Sequence, residues 1–302
     1  MKPDMTCDLG FVKLKNPVMT ASGTFGSGEE YSEFFDIGRL GAVVTKGVSA
    51  VPWEGNPSPR IAETHSGMLN AIGLENPGLD RFLEKDLPFL KKSKTAIGVN
   101  VCGHTEEEYL EVVRRLTDEA ISFLEINISC PNVKQGVLAF GTDPAMVEKI
   151  TREIKEATDK PVVMKLTPNV TDIKEIAKAA EAGGADGISL INTITGMKID
   201  IERQCFALAN KTGGLSGPAI HPVAVRMVYE ASNAVKIPVI GMGGIESWQD
   251  AVEMMLAGAD AVAIGAANFY NPVAALEIID GIERYLDDHC IDKVSDLVGA
   301  VR

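Results

Sequence analysis

Short β-branched apolar runs alternate along this chain with longer segments whose apolar residues recur at helical spacing. Eight runs read as strands: 17–20, 42–47, 95–101, 123–128, 161–166, 187–191, 237–241 and 261–265. Between them Tyr109, Leu110, Val112, Val113 and Leu116 form one apolar stripe, and Met146, Val147, Ile150 and Ile154 form another. Thr171, Asp172 and Glu175 ahead of Ile176, Ala179 and Ala180 predict a helix start, as does Ser247 ahead of Trp248 and Ala251. Residues 161–192 and 238–265 echo each other: strand, loop, helix, Gly-Ala-Asp, strand. Eight such units predict an α/β fold, a (β/α)8 TIM barrel formed as a single domain over 1–302. Residues 6–9 and 11–14 flank Gly10 as an N-terminal β-hairpin placed to close the barrel's bottom. The stretch 49–94, rich in Gly, Pro and Asn, is expected to be a functional loop, an active-site insertion.

Composition narrows the function classes. No run approaches the roughly 20 apolar residues of a membrane span. The start, with Lys2, Asp4 and Asp8, is unlike a signal peptide, so the expectation is a cytoplasmic protein. A formal net charge of −13 disfavours nucleic acid and anionic lipid as partners and favours a small molecule. Five scattered cysteines, Cys7, Cys102, Cys130, Cys205 and Cys290, suggest neither a disulfide framework nor a CxxC site. His65, His104, His221 and His289 lack metal-ligand spacing and are expected in loops or at the surface, with no metal site.

In such a barrel, chemistry gathers at the C-terminal ends of the strands. Those ends carry Ser22, Lys46, Asn100, Asn127, Lys165, Asn192 and Thr193, groups suited to a planar, amide-bearing anion. The last two strands run into Gly241-Met242-Gly243-Gly244 and Gly265-Ala266. Taken singly these are turns; together, after strands seven and eight, they are the position of a phosphate site. Lys46 and Lys165 end apolar strands and call for an anionic partner, the competing role being a stem that snorkels to solvent. A phosphate with two lysines points to a flavin mononucleotide (FMN), whose reduced ring carries negative charge. Cys130, just past strand four between Asn127 and Asn132, is a candidate general base or nucleophile; the other cysteines are expected to be structural.

These residues bring a known family into view. Ala21-Ser22-Gly23-Thr24-Phe25-Gly26, Met68-Leu69-Asn70-Ala71-Ile72-Gly73-Leu74, Asn127-Ile128-Ser129-Cys130-Pro131-Asn132, Lys165-Leu166-Thr167-Pro168-Asn169-Val170 and Gly213-Gly214-Leu215-Ser216-Gly217-Pro218 occur in order. With them nearly the whole chain resembles the dihydroorotate dehydrogenases, specifically the class 1B catalytic subunit. The resemblance implies that Cys130 takes a proton from C5 of dihydroorotate while hydride leaves C6. It assigns the substrate to Lys46, Asn70, Ala71, Ile72, Gly73, Leu74, Asn127, Asn132, Asn192 and Thr193. It assigns FMN to Ser22, Lys46, Asn100, Asn127, Lys165, Ile191, Gly217, Gly243, Gly244, Gly265 and Ala266. It also implies a partner subunit carrying FAD and a [2Fe-2S] cluster, through which electrons reach NAD, in a heterotetramer of two catalytic and two partner subunits. This chain has neither a Rossmann fingerprint nor iron-sulfur ligands of its own. One position departs from the family pattern: Ala266 stands where a threonine is usual.

Other readings stay open at this level. Class 1A, a fumarate-using homodimer, shares the cysteine and the asparagines. A tRNA dihydrouridine synthase is disfavoured by acidity and length. A non-catalytic flavoprotein is disfavoured by Cys130, Asn70 and Asn132.

Overall fold

The computed structural model describes residues 2–128 and 140–301. Its centre is a closed parallel barrel of eight strands: β1 Val18–Thr20, β2 Ala42–Val44, β3 Ala96–Val101, β4 Phe123–Asn127, β5 Val162–Lys165, β6 Gly187–Leu190, β7 Val239–Met242 and β8 Ala261–Ile264. Neighbours in sequence are neighbours in space, and Val262 of β8 pairs with Val18 of β1 to close the ring. All eight predicted strands are present, with shifted ends. β2 stops at Val44, so Lys46 lies two residues beyond it, and β7 runs one residue past Gly241.

Among the described residues, six longer helices cover the outside: α1 Glu106–Leu116, α2 Pro144–Ala157, α3 Ile173–Ala182, α4 His221–Ser232, α5 Trp248–Leu256 and α6 Ala274–Asp288. Both predicted stripes, on α1 and α2, face the core, fully buried except for Leu110 and Met146, which are partly buried. Asp172 caps α3 by accepting from Lys174 N, and Ser247 opens α5 with a reciprocal capping box to Asp250. The Gly-Ala-Asp echo is one device used twice. Asp186 accepts from Val162 N at 2.7 Å and Asp260 accepts from Val239 N at 2.8 Å, so each ties the start of the preceding strand to the start of its own.

Inside the ring, Met19, Ala42, Val44, Phe123, Val163, Ile240, Ala261 and Ala263 form a second apolar cluster, distinct from the strand–helix core. The predicted hairpin, Cys7–Asp8 paired with Lys13–Leu14, turns at Gly10 and adds Cys7, Leu9 and Leu14 to that cluster. Phe11 meets Phe123 edge-on, ring centroids 5.9 Å apart, and plugs the floor. Gly98 makes room: a Cβ there would lie 2.4 Å from the Phe123 ring. Burial pushes the Cys7 thiol up to about 12, with Asp260 and Asp8 adding to the shift. No helix among the described residues is long and apolar enough to cross a membrane.

The stretch 49–94 is more ordered than a loop. It contains strands Ile61–Thr64 and Gly67–Asn70 and helical turns from Leu79 to Leu90. Those strands join Thr212–Ser216 and Ile194–Met197 in a four-stranded antiparallel sheet. Segments following β2 and β6 thus meet as one roof over the barrel mouth.

Candidate active site

Beneath that roof, at the C-terminal ends of the strands, is a cavity of about 430 Å³, within the range of small-molecule sites. Ser22, Lys46, Asn100, Asn127, Lys165, Ile191, Asn192, Thr193, Gly243, Gly244, Gly265 and Ala266 line it from the barrel. Asn70, Ile72, Gly73, Leu74 and Gly217 line it from the insertions. Ala71 does not: its side chain packs with Leu69 and Leu208. Its backbone is occupied too, N–H donating to Arg60 O and C=O accepting from Asn56 Nδ2. The alternation of a strand turns Ala71 away from the face that Asn70 and Ile72 share. Cys130 and Asn132 lie outside the described residues.

The two lysines sit in different surroundings. Lys165, with a side chain 5% exposed, donates to Ser22 Oγ at 2.9 Å and stands 4.0 Å from Glu125 Oε2. Lys46 is half-buried, and burial holds its ammonium below the usual lysine value, Cys102 and Glu75 acting the other way. An anion in the cavity would act against this shift and favour the ammonium.

The roof is held closely over the floor. Asn70 Nδ2 donates to Gly214 O at 3.4 Å. A Cβ on Gly214 would lie 1.9 Å from Thr193 Oγ1, so only glycine lets that strand pass over Thr193. Asn169 fastens the loop after β6: its Nδ2 donates to Thr193 O, and its Oδ1 accepts from Thr195 N. At the rim, half-exposed Phe269 and Tyr270 line the cavity, and the Tyr270 hydroxyl donates to Glu246. Burial, and then that bond, raises the tyrosine's pKa.

Sequence reasoning missed Glu125. It is 1% exposed within the barrel and bonds Asn100 and Ser189. Its signal was available, since Phe123, Glu125 and Asn127 alternate on the inward face of β4. His221 also departs from expectation. It opens α4 in a buried position, Nδ1 meeting Gly243 O at 2.9 Å and Nε2 meeting Glu253 Oε2 at 3.2 Å. The ring therefore braces the Gly243–Gly244 turn from behind. Cys7 and Cys102 are buried as structural residues, whereas Cys205 and Cys290 are exposed.

The family model described as dihydroorotate dehydrogenase matches residues 5–286. The chain belongs to the dihydroorotate dehydrogenase family. Among its dihydroorotate dehydrogenase relatives is the protein of Lachnoclostridium phytofermentans named dihydroorotate dehydrogenase B (NAD(+)), catalytic subunit. It is 63% identical over 291 residues, covering 96% of this chain and 97% of that protein. A protein of the same name from Alkaliphilus metalliredigens is 58% identical, with 99% of each chain covered. A crystal structure of DHODH from Eimeria tenella in complex with ferulenol superposes with a TM-score of 0.83. At 23% identity, over 98% of this chain and 88% of that one, it supports the fold alone. Both B-type relatives match over at least 96% of this chain.

Proposed function

We propose that this chain is the catalytic subunit of an NAD-linked, flavin-dependent dihydroorotate dehydrogenase. It oxidises (S)-dihydroorotate to orotate in cytoplasmic pyrimidine biosynthesis, and residues 1–302 form a single FMN-binding barrel domain. The observation that carries the reading is the convergence of two lysines, six asparagine or threonine residues and two glycine turns on one cavity of about 430 Å³.

FMN fits the residues present. Asn100 Oδ1 is buried against the cavity wall and has no hydrogen-bond partner among the described residues, as a ring N–H donor would require. At Gly244, φ is +70°, and a Cβ would lie within 2.9 Å of Gly217 O and His221 N, so the turn offers bare backbone for a phosphate. Ser22, Lys46, Asn100, Asn127, Lys165, Ile191, Gly217, Gly243, Gly244, Gly265 and Ala266 would hold the cofactor. When bound, FMN supplies the hydride acceptor.

The chain's own groups do the remaining work. Lys46 would pair with the substrate carboxylate, while Asn70, Asn127, Asn132, Asn192 and Thr193 bind the ring amides and orient C5 and C6. Ile72, Gly73 and Leu74, brought over by the insertion, would exclude water from above. Cys130 would serve as general base for the C5 proton. Electrons would pass to NAD through a partner subunit carrying FAD and [2Fe-2S], in a heterotetramer of two subunits of each kind.

The test is to purify the chain, record its visible spectrum and add dihydroorotate without oxygen. Bleaching of the flavin is expected; a spectrum that stays oxidised would remove the substrate assignment. Co-purification of a flavin and iron-sulfur partner checks the NAD linkage.

Ala266 gives a smaller prediction. It opens the turn Ala266–Phe269 at the cavity wall and offers no hydroxyl. Ala266→Thr is expected to tighten FMN binding about three- to tenfold, the worth of one added hydrogen bond. Fluorescence titration measures it, and an equal or weaker affinity would sink the idea.

A further inference from the structure

At the floor of the cavity, one inward step down β4 from Asn127, lies a carboxylate shielded from any ligand: Glu125, 1% exposed. Its Oε2 accepts from Asn100 Nδ2 at 2.6 Å, and its Oε1 accepts from Ser189 Oγ at 2.8 Å. Lys165 Nζ stands 4.0 Å from Oε2. Three strands thus bring their inward side chains to one buried acid: Asn100 from β3, Lys165 from β5 and Ser189 from β6.

Two consequences follow from the chemistry of these groups. A carboxamide held through its NH2 by an acceptor-only carboxylate must present its oxygen at the other end. That oxygen, Asn100 Oδ1, lies beside Gly47 on the cavity wall, where a Cβ built on the glycine would be 3.2 Å from it. Without Glu125 the amide could turn either end to the cavity. Lys165, in turn, is a buried cation, and the acid 4.0 Å away places an opposite charge beside it. Stability alone does not explain the acid, because an apolar side chain of similar volume often replaces a buried ionic group at no net cost.

We infer that Glu125 is a positioning residue of the cofactor cradle, fixing Asn100 as a hydrogen-bond acceptor and tempering the positive field of Lys165 at the bound ring. The inference rests on the FMN reading above. It is tested on the FMN-loaded parent and three variants, with FMN affinity and flavin midpoint potential as readouts.

In Glu125→Gln the amide oxygen still accepts from Asn100 and the new NH2 can donate to Ser189, so only the charge is lost. FMN affinity is expected to stay within about threefold of the parent. The potential is expected to move positive, since reduction adds negative charge to a ring beside which one negative charge has been removed. In Glu125→Leu the amide of Asn100 is released, and FMN affinity is expected to fall about tenfold or more. Ser189→Ala removes a bond but no charge; it is expected to lower the melting temperature and leave the potential in place.

An unchanged potential in Glu125→Gln overturns the electrostatic part, and an unchanged affinity in Glu125→Leu overturns the orienting part. In either case a parent that binds FMN leaves the cofactor reading standing. A parent that binds none overturns both. Melting curves of the flavin-free proteins check folding, and the near-isosteric Glu125→Gln keeps the test decisive if the leucine variant does not fold.

Discussion

Cys130→Ala is expected to slow flavin reduction by dihydroorotate by about two to four orders of magnitude, the usual worth of a positioned general base. The substrate's C5 proton is bound to carbon and leaves only if something takes it. Among the residues lining the cavity, Lys46 and Lys165 are cations, and the asparagines and Thr193 are neutral hydrogen-bonding groups. Glu246 is engaged at the rim by Tyr270. The thiolate is the active form, and a free thiol titrates at about 8.5. The parent's rate should therefore rise with pH through the neutral range, and the residual rate of the alanine variant should not follow it. Stopped-flow bleaching of the flavin under anaerobic conditions measures both. FMN affinity should be nearly equal in the two proteins; a variant that keeps the parent's rate would remove Cys130 from the chemistry.

The second large effect is expected at Gly244. An alanine there must adopt φ near +70° and place its Cβ 2.8 Å from Gly217 O and 2.9 Å from His221 N. The left-handed backbone costs about 1–2 kcal/mol, and overpacking against rigid neighbours about 1–3 kcal/mol more. Gly244→Ala should therefore lower the melting temperature of the flavin-free protein by several degrees and weaken FMN binding by more than about tenfold. Gly265→Ala is the contrast. Its φ is not in the left-handed region, and its Cβ would meet only the Ala21 Cβ at 3.6 Å, an ordinary contact. Its melting temperature should stay close to the parent's. Equal destabilisation by the two substitutions would show that the Gly244 turn is not the strained, backbone-presenting element described above.

Much of this was legible in the sequence, for local physical reasons. A parallel barrel strand is buried on both faces, so it writes itself as a short apolar run, and each of the eight was visible that way. The end of such a run marks the barrel mouth, which is why the sequence alone places Ser22, Asn100, Asn127 and Lys165 together. The Gly-Ala-Asp echo was legible as a pattern, but its purpose was not. Only the structure shows Asp186 and Asp260 each tying the starts of two adjacent strands.

The roof was not legible. Thr212–Ser216 reads Thr-Gly-Gly-Leu-Ser, without apolar alternation, and its partner Gly67–Asn70 lies far away in sequence. The pairing is selected by close approach, as at Gly214 over Thr193, rather than by local propensity. Ala71 was carried into the substrate set by its neighbours, and the two-residue period of an extended chain removes it. His221 was not legible as a buried residue because its partners, Gly243, Asp250 and Glu253, come from the next βα unit.

The plugged floor has a consequence for traffic. With Phe11 wedged against Phe123, and Leu9 and Leu14 packed around them, the described residues close the bottom of the barrel. Everything that reaches the cavity, and everything that leaves it, shares the mouth beneath the four-stranded roof. Dihydroorotate arriving and orotate departing must therefore be separated in time, or routed to different stretches of one rim.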